Sequence, residues 1–361
     1  VYRELGYNND IPDKYFEASR RSLRVPSYCD DYNLENVIKE SPLLSTTNME
    51  QLLDSLGLEI SDYKEKIEKY GFTLEEHIKR DELINNDQFI KFYEEIKQDV
   101  IDNSSTEKEN LIKYLKQYDF NKKIAIVDIG WGGSMQKNLI QTLDNQGISN
   151  NITGYYLGLS KKSKQNLAAN GYKAKGYLFD CLNNDTDKDV VIAFRPLFET
   201  LFLEQSGSVK CYETHEDGKT VAVRYEYEYV KDGELSHEAK KVRNIQSGAV
   251  DFARDFKNSK VSMYINSDEE ILFKYMYETG TNPNMEDVRK FGDFIFFNNG
   301  CGNYLAKPQK IRKYVVNPKK CLSDLSESQW KLGFLKYIIK IPFPYLRLYL
   351  KLHRMSNNEE D

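Results

Sequence analysis

Residues 122–136 read Lys122-Lys-Ile-Ala-Ile-Val-Asp-Ile-Gly-Trp-Gly-Gly-Ser-Met-Gln136. The apolar run from Ile124 to Ile129 is too short for a helix and nearly continuous, which predicts a fully buried strand of a parallel sheet. Met135, Leu139, Ile140 and Leu143 then repeat at helical spacing as far as Asn145, and Ile152-Thr-Gly-Tyr-Tyr-Leu-Gly-Leu159 supplies a second strand. Strand, glycine-rich turn, helix and strand in that order make a βαβ unit. The predicted fold class is therefore α/β, with a Rossmann-like, mostly parallel sheet.

Outward from this unit the pattern alternates less. Downstream, Tyr172–Phe179 predicts a further strand, Val190–Leu203 a helix, Gly207–Val230 a β-hairpin turning at Glu216-Asp-Gly-Lys219, and Ser236–Asn258 a long capped helix. Tyr225-Glu-Tyr-Glu-Tyr229 alternates as an exposed strand does, and 267–279 and 285–298 are expected to be helices closed by a turn at Gly300. Upstream, 33–40, 48–57, 61–70, 73–83, 86–101 and 105–118 are expected to be helices, with Thr73 and Ser105 as caps. The predicted organisation is an N-terminal segment and helical subdomain over 1–120, the α/β core with its inserted hairpin and helices over 121–320, and C-terminal helical additions with a basic amphipathic tail over 321–361.

Composition narrows the function. The 361 residues carry 51 basic and 56 acidic side chains, a net charge of −5, so a globally basic surface is excluded and no nucleic-acid partner is expected. Thirteen per cent aromatic residues provide ample material for a core, and disorder is ruled out. Five cysteines (29, 181, 211, 301, 321) form no CxxC pair, which argues for a reducing compartment and against a disulfide framework. The four histidines (77, 215, 237, 353) stand at no ligand spacing, so neither metal nor cofactor is expected. Val1 in place of Met, with no charged and apolar leader after it, predicts a cytoplasmic chain whose natural start lies upstream. The mean hydropathy of −0.66 speaks against an ordinary membrane span. However, 330–354 holds no acidic residue, and its Lys336/Lys340 and Arg347/Lys351 pairs among Leu, Ile and aromatics match segments that lie on an anionic membrane surface. The alternative is packing against another part of the protein.

The chemistry concentrates at the strand–helix junction. Glycines let the backbone approach an anion, and the following helix N-terminus offers free N–H groups. Gly130, Gly132, Gly133, Ser134 and Gln136 are thus candidates for holding a phosphate, and Asp128, at the carboxyl end of the strand, for holding a sugar hydroxyl or acting as a base. The spacing is neither GxGxxG nor GxxxxGK[ST], which disfavours dinucleotide and Walker sites. The Asp-x-Gly-x-Gly order resembles the first phosphate loop of actin-like ATPases, except that a helix rather than a strand follows. A tight βα turn with Asp128 capping the helix is the alternative. Arg20 and Arg21 offer two guanidiniums for phosphate or carboxylate; the alternative is a solvated basic turn or a salt bridge to the acidic helices. Arg195 and Glu199 share a helix face four residues apart, with Glu204 beyond, as a catalytic carboxylate with its positioning arginine or as a plain intrahelical ion pair.

Several blocks together resemble a known family: Tyr15-Phe-Glu-Ala-Ser-Arg-Arg-Ser-Leu23, Tyr114-Leu-Lys-Gln-Tyr118, Ala125–Gln136, Gly154-Tyr-Tyr-Leu-Gly158, Phe198-Glu-Thr-Leu-Phe202 with Gly207-Ser208, and Asn244-Ile-Gln-Ser-Gly-Ala-Val-Asp-Phe252. They are similar to the region C-terminal to the phosphatase-like domain of large haloacid-dehalogenase (HAD)-like proteins, predicted hydrolases encoded among bacterial capsule and lipopolysaccharide O-antigen enzymes. The resemblance runs over about residues 1–340 and implies a role in surface-polysaccharide biosynthesis. HAD phosphatases need a strand ending in Asp-x-Asp, and Val127-Asp-Ile-Gly130 lacks the second carboxylate. Phosphatase activity and its magnesium are therefore not carried over. The expectation is a glycosyltransferase-like module that binds a nucleotide-sugar or sugar-phosphate, on the cytoplasmic side and peripheral to the membrane. The alternative is a non-catalytic docking domain of a HAD-like hydrolase that recruits other polysaccharide-assembly enzymes.

Overall fold

Ser19 and Ser22 cap each other reciprocally, the Ser19 hydroxyl accepting from Ser22 N at 3.0 Å and the Ser22 hydroxyl from Ser19 N at 2.9 Å. This capping box starts α1 (Arg20–Arg24). The computed structural model describes residues 3–5, 13–44, 46–182, 190–191, 193–260, 269–298, 301–340 and 344–357. After α1 come α2 (Leu34–Glu40), begun by the Asn33 side chain, and α3 (Asp87–Leu115), begun by Asn86. Phe89, Phe92, Tyr93 and Ile96 of α3 form the helical core with Val25, Leu52 and Leu53.

α3 corrects the sequence expectation of two helices broken near Ser105. The neighbouring Ser104 is fully buried, its hydroxyl donating to Val25 O at 2.7 Å and accepting from Cys29 N at 2.8 Å. Serine here ties a helix interior to the α1 segment and ends nothing. Likewise the helix expected over 73–83 shrinks to a single turn, Arg80–Leu83.

The central sheet holds β1 (Lys123–Trp131), β2 (Asn151–Leu159) and β3 (Lys173–Asp180), all parallel and adjacent in chain order, with α4 (Ser134–Asn145) crossing from β1 to β2. This is the expected α/β, Rossmann-like arrangement. α4 buries Leu139, Ile140 and Leu143 together with Ile152, and with Ile124 and Ile126 packed alongside. The expectation that β1 is buried on both faces does not hold: Val127 is 82% exposed, and Tyr155 and Tyr177 also reach solvent on that face. The cause is topological. Right-handed crossovers between strands laid down in one direction put every connection on the same face, so the other is open toward the start of the strands. Only at the carboxyl end do Ile129, Trp131 and Leu157 pack against the cluster of Phe179 and Phe194. Strand order also never reverses in this sheet, which leaves the carboxyl edge, rather than a switch-point crevice, to position a ligand.

Downstream, α5 (Arg195–Leu201) is shorter than the predicted helix and precedes the hairpin β4 (Val209–Thr214) and β5 (Thr220–Arg224). The hairpin packs on α3 through Tyr114 and Tyr212, whose rings stack with centroids 4.4 Å apart. Tyr225–Tyr229 is not the exposed strand expected. Tyr225 donates to Asp54 Oδ1 at 2.5 Å, and Tyr229 is buried with its hydroxyl on Ile295 O at 2.9 Å, so these tyrosines reach inward to separate parts of the chain. α6 (His237–Asn258) is the predicted long helix, capped by Ser236, and α7 (Glu269–Thr281) follows. The helix expected over 285–298 stops at Phe291. Its last residues form β6 (Ile295–Asn298), antiparallel to β7 (Cys301–Tyr304), because Ile295-Phe-Phe favours an extended, half-buried strand. The expected Gly300 turn lies outside the described residues.

α8 (Lys331–Ile339) and α9 (Tyr345–Asn357) end the chain, and Pro342 between them lies outside the described residues. Leu332, Phe334, Leu335 and Tyr345 are buried in one cluster with Trp131, Phe179 and Phe194. Most of the described apolar side chains of the basic tail therefore pack on the α/β core, with Leu322 and Tyr337 left exposed. No helix among the described residues is long and apolar enough to cross a membrane.

Candidate functional site

At the carboxyl end of β1 the chain must turn from strand to helix within two residues, and its glycines are there for that geometry. Gly130 has φ +124°, and a Cβ on it would lie 2.2 Å from the Gly158 carbonyl oxygen of β2. Gly133 has φ +71°, and a Cβ there would meet Leu167 Cδ1 at 2.4 Å. Gly132 accepts from Asn166 Nδ2 at 2.8 Å, which pins the turn from outside. Gly133 is the N-cap of α4 and no side chain caps that helix, so Ser134 and the next backbone N–H groups open onto the carboxyl edge of the sheet.

Asp128 does not cap α4. Its Oδ1 accepts from Ile129 N at 2.7 Å, folding the carboxylate back on its own strand end. Burial pushes its pKa above the usual carboxylate range, hydrogen bonds from the Ile129 and Gly130 amides hold it down, and the nearby Glu199 charge pushes it up. Glu199 approaches from α5. It accepts from Trp131 Nε1 at 2.5 Å and lies 3.3 Å from Arg195 Nε. Trp131 is itself fixed by stacking on Phe179, ring centroids 5.5 Å apart. The Arg195 Nε is buried and faces Glu199 as an ion pair without a well-aligned hydrogen bond.

Arg20 completes the group from α1. It keeps solvent access, yet enough protein surrounds it that desolvation lowers its pKa, with the Glu199 carboxylate opposing the shift and the Arg195 guanidinium adding to it. Its Nη2 donates to Asn298 Oδ1 at 3.0 Å. Arg20, Asp128 and Arg195 thus share Glu199 as a neighbour.

Two predicted site residues do not belong to it. Arg21 points the other way along α1 and is buried. Its guanidinium forks onto Glu107, 3.2 Å to each oxygen, and donates to Asp54 O at 3.1 Å and to Lys210 O. Burial works against its charge and Glu107 outweighs that, raising its pKa. Gln136 is buried beneath the sheet, donating to Lys173 O at 3.0 Å and accepting from Tyr156 OH at 2.9 Å. Both residues are structural. Glu204 is also occupied, held by Arg224 Nη1 at 2.9 Å and Tyr15 OH at 2.7 Å.

Trp131 and Asn298 were missed in the sequence. Trp131 stood within the junction but carried no titratable group to flag it, and Asn298 sat in a stretch with helical spacing. Among the described residues, no group of three or more His, Cys, Asp or Glu could hold a metal ion. The site therefore offers two carboxylates in unlike environments, two guanidiniums and a helix N-terminus. That set can bind an anion and move a proton.

The raised pKa of Asp128 has a stability consequence. Between the ordinary carboxylate pKa and its own higher value the folded chain binds more protons than the unfolded one, so stability falls as pH rises through that window. Asp128→Asn keeps an acceptor for Ile129 N and is expected to flatten that fall and to stabilise the protein at neutral pH. Urea midpoints of both proteins from pH 4 to 8 check this.

No family model matches the chain and no curated protein matches it.

Proposed function

We propose that the carboxyl end of β1 binds a phosphorylated or nucleotide-activated sugar, and that the chain is a module of bacterial surface-polysaccharide (capsule or lipopolysaccharide) biosynthesis that transfers a glycosyl or sugar-phosphate group. The convergence of Arg20, Asp128, Arg195 and Glu199 from three sequence-distant segments carries this reading. A phosphate finds the Arg20 and Arg195 guanidiniums and the α4 N-terminus. In glycosyl transfer the acceptor oxygen attacks the anomeric carbon as the bond to the leaving phosphate breaks. The acceptor proton passes to Asp128, whose proton affinity is raised, while the two guanidiniums balance the charge on the departing phosphate. Trp131 and Arg195 hold Glu199 against the sugar. The work would take place on the cytoplasmic side. Contact with an anionic membrane would then fall mainly to Lys336, Lys340, Arg347 and Lys351, because most described apolar residues of the tail are packed in the core.

One observation favours a second reading, a docking domain of a HAD-like hydrolase that recruits other assembly enzymes. The uncovered sheet face carries Val127, Tyr155 and Tyr177 with Lys123, Lys173 and Lys175 around them, an apolar patch with a basic rim.

A thermal-shift screen of nucleoside diphosphates, nucleotide sugars and sugar phosphates separates the two. The transferase reading expects a saturable rise in Tm with one ligand class, lost in Arg20→Ala and Asp128→Ala. No rise with any of these ligands would favour docking.

A further inference from the structure

A second cavity, of about 370 Å³, lies between α1, α2, α3 and α4. It adjoins the candidate site: Glu40, on its wall, feels the charge of Lys162, whose side chain stands beside Gly132 of the β1–α4 turn. We propose that this cavity is a saccharide-binding site.

The lining selects the ligand by elimination. Its charges cancel: Lys108 pairs with Asp30 at 2.7 Å and Lys137 with Glu40 at 3.0 Å, which leaves Arg24 and Asp31. Asp31 is engaged by the Asn36 amide, 3.0 and 3.3 Å from its two oxygens. A polyphosphate needs surplus cations, and this wall sets three basic side chains against three acidic ones. A nucleobase needs a ring to stack on or an apolar slot, and no aromatic side chain lines the cavity. What the wall does present is a row of carboxamides on one face of α4, Asn138, Gln141 and Asn145, at spacings of three and four. Each amide both donates and accepts, as each sugar hydroxyl does.

Arg24 adds the anchor. Its Nη1 donates to Ser27 Oγ at 3.1 Å and its guanidinium lies 5.1 Å from the Tyr28 ring centroid. Its Nε is buried with no hydrogen-bond partner among the described residues. A buried donor of this kind costs free energy until an acceptor reaches it, and a ring or hydroxyl oxygen in the cavity is such an acceptor. The volume, at the lower end of small-ligand pockets, suits one or two sugar rings.

The test is ligand-observed NMR and titration of the full chain with glucose, galactose, N-acetylglucosamine and glucuronate, with AMP and pyrophosphate as counter-probes. The expected result is saturable binding of at least one saccharide. Asn138→Ala/Gln141→Ala should weaken it about tenfold, since two hydrogen bonds are lost. Asp128→Asn should leave it within about twofold. Alanine raises helix propensity at both α4 positions, so the double variant folds. Binding of no saccharide would overturn the proposal, as would saccharide binding that the double variant retains. Saccharide binding abolished by Asp128→Asn alone would also overturn it, by placing the sugar at the end of β1. A preference for pyrophosphate sensitive to Arg20→Ala but not to the double variant would leave the proposed function standing and remove this one.

Discussion

Arg21→Ala is expected to lower the free energy of unfolding by about 3–5 kcal/mol, because it leaves the Glu107 carboxylate buried with its charge uncompensated. The substitution also removes donors from Asp54 O and Lys210 O, which join α1 to the segments around residues 54 and 210. Arg21→Lys is not a rescue, since one ammonium cannot fork across both Glu107 oxygens while reaching these carbonyls. Chemical denaturation of the wild type and both variants measures the effect. A variant as stable as the wild type would contradict the structural role assigned to Arg21. Arg20→Ala is the informative partner: with Asn298 as its one described hydrogen-bond acceptor, it should leave stability nearly unchanged and act on ligand binding.

Gly130→Ala is expected to cost about 3 kcal/mol or more, combining the strain of a strongly positive φ with a Cβ driven into the Gly158 carbonyl. Neither strand can yield easily, because β1 and β2 are paired through Gly130 and Gly158 themselves. Gly147→Ala is the control. There φ is +64° but a Cβ meets nothing within 4 Å, so the cost reduces to about 1 kcal/mol of left-handed backbone preference. Denaturation midpoints of the two variants should differ accordingly, and equal midpoints would mean that the β1–α4 turn is not built as described.

What could be read from the sequence follows the range of the interactions. The β1–α4–β2 unit, the hairpin and the long helix from His237 were legible, because periodicity, caps and turn residues act within a few positions. The bare face of β1 was not. An apolar run looks alike whether one or both faces are covered, and coverage depends on where β3 joins the sheet. The helix break at Ser105 was misread for a related reason: serines in a helical pattern mark a break unless something distant ties the helix through, here Val25 and Cys29 holding the hydroxyl of the neighbouring Ser104. At the site, Asp128 was legible from its place at the end of a strand. Arg20 and Arg21 were not separable, since neighbours on a helix point about 100° apart and only the packing of α1 decides which reaches Glu107. Asn298 carried no local signal, because its role comes from β6 meeting α1 almost three hundred residues away.

The central claim is that Arg20, Asp128, Arg195 and Glu199 serve one ligand. Calorimetric titration with the best ligand from the Tm screen, on the wild type, Arg20→Ala and Glu199→Gln at fixed ionic strength, tests it directly. The account predicts that both substitutions weaken the same ligand by at least about tenfold, as loss of a charge-assisted contact should, while both proteins keep wild-type unfolding midpoints. Wild-type affinity in both variants would contradict it.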